Sequence, residues 1–132
     1  MHYIRKNASG IAVTDGRATK RLACSLQGYL DTLLLAELTT FEGRMAALRK
    51  MTGMKRNLPI YIDDSICLYT TKSLREPDAI CINFHRVLSI RDKKFSAEVI
   101  FKDLSILPLD MPYRKLAHKH AKTACFLKRL EN

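Results

Sequence analysis

Arg114, Lys115, Lys119, Lys122, Lys128 and Arg129 follow one another between Tyr113 and Leu130 with no acidic residue among them. Cations this close repel one another and destabilise an isolated helix, so the pattern points to a polyanion as the neutralising partner. Lys128 and Arg129 also complement the negative end of a helix C-terminus. Lys119 and Lys122 are expected on one exposed stripe. Lys55-Arg56, ahead of Pro59, has no acid nearby and suits either a phosphate contact or a solvated turn. Thr70-Thr71-Lys72-Ser73, with Arg75, offers short hydroxyls and two cations on a loop. Such groups position phosphates without reading bases; an ordinary strand connection is the alternative. Gly43-Arg44 places a glycine where a helix is expected, at a cost of about 1 kcal/mol relative to alanine. That glycine implies close approach by a strand or by nucleic acid. Arg44 fits a phosphate or a narrow A/T minor groove, and equally a buried ion pair with Asp63 or Glu42.

Catalytic patterns are poorly represented. His118 and His120, two residues apart on a helix, diverge by about 200°, unlike the i, i+4 pair that holds a metal. His120 falls on the apolar stripe and His118 on the solvent side. Asp63-Asp64 reads as a turn with solvated carboxylates before it reads as a divalent-ion site. No phosphate-binding loop, nucleophile elbow or dinucleotide fingerprint is present. Cys24, Cys67, Cys81 and Cys125 form no CxxC pair and all have apolar neighbours, so four buried reduced thiols are expected. Neither enzyme activity, a cofactor nor a metal is expected.

The elements that must position these residues follow from periodicity. His2–Arg5 and Gly10–Thr14 read as short strands. Asp15-Gly16 marks a type I′ hairpin turn into Arg17–Cys24. Leu30, Leu33, Leu34, Leu38, Phe41, Met45 and Leu48 recur at helical steps, with a break near Leu38. Thr39-Thr40 and Glu42 there suggest a capping box, and Gly53 a C-cap. Beyond Pro59 come strands at Ile60–Ile62, Ile66–Tyr69, Ala79–Ile90, Ser96–Phe101 and Leu104–Leu109. From Tyr113 to Leu130 a last helix carries Leu116, His120, Ala124, Leu127 and Leu130 on its apolar stripe. Phe126 falls by helical phase on the basic side, as a dimer surface would have it. The class is α+β: an antiparallel β-meander sheet packed with two or three helices, residues 1–132 forming a single domain.

Composition narrows the partner. The chain has 132 residues, with 23 Lys and Arg against 13 Asp and Glu, a net charge of +10. Such an excess calls for a polyanion, nucleic acid first among them. Unbroken apolar runs are no longer than Leu33–Ala36, against the roughly 20 residues of a membrane span. No secretory signal follows Met1-His2-Tyr3-Ile4-Arg5-Lys6, so a cytoplasmic protein without membrane contact is expected.

One ordered succession adds more. Thr40-Phe41-Glu42-Gly43-Arg44, Lys55 or Arg56, Pro59-Ile60, Ile62-Asp63, Leu68-Tyr69-Thr70-Thr71-Lys72-Ser73, Pro77 and Ile82 resemble the competence transcription factor family, ComK. The resemblance runs from about Leu30 to Leu130. Thr70 stands where the family's loop carries proline, and Cys81 where tryptophan is common. The resemblance implies a bacterial activator of DNA-uptake genes that binds A/T-rich double-stranded DNA as an oligomer, a dimer at least, largely through the minor groove. On that reading Arg44, Lys55, Arg56, Thr71, Lys72, Ser73, Arg75, Lys115, Lys119 and Lys122 are the nucleic-acid-binding candidates. The chain reads as shorter than the family's longer members and without their C-terminal tail, which leaves adaptor–protease control and higher assembly open. Two rivals stand beside this reading. One is a sequence-indifferent RNA- or single-strand-binding module stacking bases on exposed Tyr3, Tyr61 and Tyr69. The other is a truncated interaction partner of a longer relative that does not bind DNA.

Overall fold

Short alternating segments joined by two-residue loops build the first part of the chain. β1 (Tyr3–Asn7), β2 (Gly10–Asp15) and β3 (Ala18–Leu22) form consecutive antiparallel hairpins. Gly10 is obligatory: its φ is +148°, and a Cβ there would lie 2.1 Å from the Leu22 carbonyl oxygen. The β2–β3 loop corrects the expected turn type. Gly16 has φ +67° but Arg17 is not left-handed, the pattern of a type II′ turn rather than type I′. The computed structural model describes residues 1–131.

Two capped helices follow. Ser25 accepts from Gly28 N–H to start α1 (Leu26–Leu35), and Thr40 accepts from Gly43 N–H to start α2 (Phe41–Thr52). Asp31, past the middle of α1, also accepts the Phe41 N–H at 2.7 Å and ties α1 to the start of α2. No capping box forms: with Thr40 as cap, its third position is Gly43, and Glu42 stands one residue too early. Glu42 instead places negative charge in the first turn. α2 ends, as the sequence suggests, at Gly53, whose φ is +74° and whose N–H donates to the Arg49 carbonyl.

The remaining strands are β4 (Ile60–Asp63), β5 (Ile66–Thr70), β6 (Ile80–Asn83), β7 (Val87–Asp92), β8 (Ala97–Phe101) and β9 (Ile106–Leu109). A long helix, α3 (Tyr113–Glu131), closes the chain. The class is α+β, but the expected single meander divides into two antiparallel sheets: six strands in the order β3-β2-β1-β6-β5-β4, and three in the order β7-β8-β9. The run Ala79–Ile90 is not one strand. Asn83 accepts the His85 N–H and turns Phe84–Arg86 into a single 3-10 turn, after which Val87 begins the second sheet.

The six-stranded sheet is covered on both faces. Ile4, Ile11, Cys67 and Cys81 pack with Leu30, Leu34, Met45 and Leu48 of α1 and α2. On the other side Tyr69, Ile80 and Ile82 meet Val99, Phe101 and Leu107 of the small sheet and Leu116 of α3. Buried His2 joins the turns of the two sheets, its ring nitrogens 3.4 Å from Asp15 and 3.0 Å from Asp103. Bonds from Ser105, with a smaller effect from His2, hold the Asp103 carboxyl down at about 2.

α3 crosses from one core to the other, Leu116 lying in the second and Phe126 in the first. Phe126 is only 1% exposed, so it marks no dimer surface, and the buried stripe runs Leu116–Thr123–Phe126. The cysteines divide as well. Cys67 and Cys81 are buried, which pushes both thiols up to about 12, whereas Cys24 and Cys125 are exposed.

Candidate nucleic-acid interface

Residues 115, 119 and 122 are four and three apart, the spacing that stacks side chains along one helix face. In α3 that face borders the buried stripe, so Lys119 and Lys122 are half-buried rather than fully exposed as expected. Together with Lys115 they line a cleft of about 210 Å³ between α3, the Asn57–Pro59 segment and the end of β5 at Tyr69 and Thr70. Thr123, which also lines the cleft, donates its hydroxyl proton to the Lys119 carbonyl. Among the described residues no carboxylate lies within ion-pair distance of these lysines. Burial first, then the charges of Lys115 and Lys122, holds the Lys119 ammonium below its ordinary lysine pKa.

The cleft continues in both directions. His118, exposed as expected, is shared with a second depression lined by Asp92, Lys94, Tyr113 and Arg114. Lys122 is shared with a third, lined by Met54, Lys55, Arg56, Cys125 and Arg129. The result is one basic furrow along α3, about 22 Å from Arg114 to Arg129 at 1.5 Å per residue. It unites two groups of candidates that are some 60 residues apart in the chain: Lys55 and Arg56 on one side, Lys115, Lys119 and Lys122 on the other. Arg129 also has a structural task, donating to the Thr52 carbonyl at the end of α2 at 3.3 Å.

This furrow lies within the span that matches a known family. A family model described as "ComK protein" matches residues 29–132. The chain belongs to the ComK family. It is therefore a regulator of the competence transcription factor type. No curated protein and no solved structure matches it. The match covers α2, the Asn57–Pro59 segment and all the furrow lysines, while strands β1–β3 precede it.

The other candidates in this ComK-family chain lie elsewhere. Thr71 is buried; its hydroxyl accepts from Ile80 N–H and its own N–H donates to the Ile80 carbonyl. It thus continues the β5–β6 pairing instead of presenting a hydroxyl to a ligand. Lys72 is paired with Asp78, and Ser73 accepts the Arg75 N–H. Arg75 borders a separate depression beside Lys6 and the start of α1. Arg44 makes no ion pair with Asp63 or Glu42. Its guanidinium lies 5.8 Å from the Tyr61 ring centre, and its Nε is buried without a partner. The Asp63 carboxylate instead accepts from Ser65 and Ile66 within its own turn. Gly43 is explained locally: a Cβ would press to 3.0 Å against the Thr39 hydroxyl and 3.3 Å against that of Thr40.

Sequence reasoning missed the contribution of the β7–β8 hairpin. Its signal was present in Asp92-Lys93-Lys94-Phe95, two lysines and an aromatic where a polar turn is required. Among the described residues no group of three His, Cys, Asp or Glu is placed to hold a metal ion.

Proposed function

We propose that this ComK-family regulator binds double-stranded DNA by seating the phosphate backbone in the α3 furrow. The observation that carries this reading is the convergence of exposed Lys115 and half-buried Lys119 and Lys122 on one cleft with no acid within ion-pair distance. A fold that holds like charges together loses stability unless a polyanion neutralises them. Lysine suits this as a strongly hydrated point charge, which positions a duplex without reading it. Sequence preference then falls to arginines at the ends of the furrow. Arg56 and Arg114, both exposed, are suited to enter a narrow A/T-rich minor groove, where the negative potential is enhanced. Two copies of this single domain would cover a repeated A/T-rich box and activate genes for DNA uptake. A cytoplasmic setting is part of this reading, and no helix among the described residues is long and apolar enough to cross a membrane.

The tyrosines favour duplex over single-strand stacking. Tyr69 is 4% exposed, Tyr3 stacks on Phe101 with centroids 5.8 Å apart, and Tyr61 donates to Asp64 beneath Arg44. They form no open platform for bases. The deciding experiment compares affinity for A/T-rich duplex, G/C-rich duplex and single-stranded RNA over a salt series. The eight Lys and Arg side chains along the furrow predict a slope of log K against log salt near −7 per chain, at about −0.9 for each neutralised phosphate. A flat salt dependence, or tighter binding of the single strand, overturns the reading.

A further inference from the structure

The tip of the β7–β8 hairpin is unusual in two adjacent residues. Phe95 is 91% exposed, and Lys94 beside it has φ +76°. The Phe95 N–H donates to the Lys93 carbonyl at 3.1 Å, closing around Lys94 a γ-turn of the rarer, strained hand. The tip is nevertheless fixed. Asp92 accepts the Lys94 N–H at 2.8 Å, and the Lys93 N–H donates to the Ser96 carbonyl at 3.0 Å.

A single exposed apolar side chain means little on its own. Here it has a setting. Arg91 and Lys93 lean toward Glu98, at 3.5 and 3.9 Å, which leaves Lys94 and Phe95 as the groups at the tip. Lys94 and Asp92 border the same depression as Arg114 and His118, so the hairpin stands at one end of the basic furrow. The turn thus holds an aromatic ring in solvent one residue from Lys94, which lines the end of the furrow. Proteins that approach DNA from the minor groove insert apolar wedges of this kind between base steps.

We propose that Phe95 is a wedge that enters duplex DNA at a base step next to the furrow, with Lys94 on the flanking phosphate. This rests on the duplex-binding reading above and adds to it a residue that senses how easily a step unstacks. Flexible pyrimidine–purine steps such as TA open at lower cost than A-tracts, so the wedge contributes a preference that needs no hydrogen bond to a base.

The test uses the full chain, its Phe95→Ala and Phe95→Leu variants, and A/T-rich duplexes carrying 2-aminopurine within a central TA step. With the unsubstituted chain, binding should raise the probe's fluorescence several-fold. Phe95→Ala should abolish that rise and weaken binding about tenfold, in line with the worth of one aromatic–base contact, with salt slope and melting temperature unchanged. Phe95→Leu should restore part of the rise, because leucine also serves as a wedge. Steep, salt-dependent binding with no probe response, or a response that Phe95→Ala leaves intact, overturns the wedge while sparing the furrow. Absence of duplex binding by the unsubstituted chain overturns the duplex reading itself. Phe95-dependent binding to vesicles of anionic lipid, without any probe response on duplex, overturns the wedge in favour of a membrane surface.

Discussion

Two polar clusters in this molecule are built on opposite principles. Both side-chain polar atoms of Asn83, wholly buried, have partners. Its carbonyl oxygen accepts from the backbone N–H groups of Cys67 and His85, and its amide nitrogen donates to the carbonyls of Met1 and Ser65. One side chain thereby ties together the chain start, β5, β6 and the Asp63–Ser65 turn. In the furrow, Lys115, Lys119 and Lys122 face one another with no answering acid. The first cluster is complete without a ligand and serves the fold. On the duplex-binding proposal the second is complete only when an anion enters, and this difference would separate a structural polar group from a binding one. Lys72, already paired with Asp78, belongs with the first kind although it looks like the second in sequence.

The contrast is open to attack, and the largest effect is expected at Asn83. Asn83→Ala leaves two N–H groups and two carbonyls short of a partner, each at a cost of about 1–3 kcal/mol when buried. Denaturant unfolding should show a loss of at least about 3 kcal/mol, a large part of a stability of roughly 5–15 kcal/mol. The folded fraction should bind duplex as before. A variant that unfolds like the unsubstituted chain would remove the distinction between the clusters.

Exchanging Lys115, Lys119 and Lys122 together for Gln should do the reverse. The salt slope for duplex binding should fall by about 2–3 units, with thermal stability unchanged or raised as the repulsion is relieved. Stability should also change its response to pH. Lys119 is held below the ordinary lysine value in the folded state, so the unfolded chain binds more protons in the alkaline window between the two pKa values. Stability therefore rises as pH climbs through that window, and Lys119→Gln should flatten the rise. A triple variant that keeps the full salt slope would relegate the furrow to an ordinary solvated face.

The smallest effect is expected in the loop. Because Asp78 already neutralises Lys72, Lys72→Ala should change duplex affinity less than about twofold, as for exposed ion pairs generally. Asp78→Asn, which frees the ammonium, should raise the salt slope by no more than about 0.9. A large loss on Lys72→Ala, measured beside the triple lysine variant, would show that local pairing does not predict which cations face the ligand.

Much of this protein was written locally. Ser25, Thr40 and Gly53 set the helix limits because caps act within one turn of backbone. The β2–β3 hairpin, the Asp63–Ser65 turn and the strands β4, β5, β8 and β9 are short-range as well, and their residue types announce them. The α+β class and the ComK-family resemblance, carried by ordered residues between Thr40 and Ile82, were legible for the same reason. Tertiary structure decided what distant residues must settle between them. Asn83 breaks Ala79–Ile90 into two sheets through bonds to Met1, Ser65 and Cys67, partners that no local pattern announces. Packing against two cores turns α3 so that Phe126 is buried and Lys119 and Lys122 line a cleft. The approach of Lys55 and Arg56 to Lys122 comes from α2 and α3 meeting across the first core. Charge and periodicity fixed how many cations the chain carries and on which elements; only the folded arrangement fixed which of them remain unanswered, because neutralisation depends on distance in space and not along the chain.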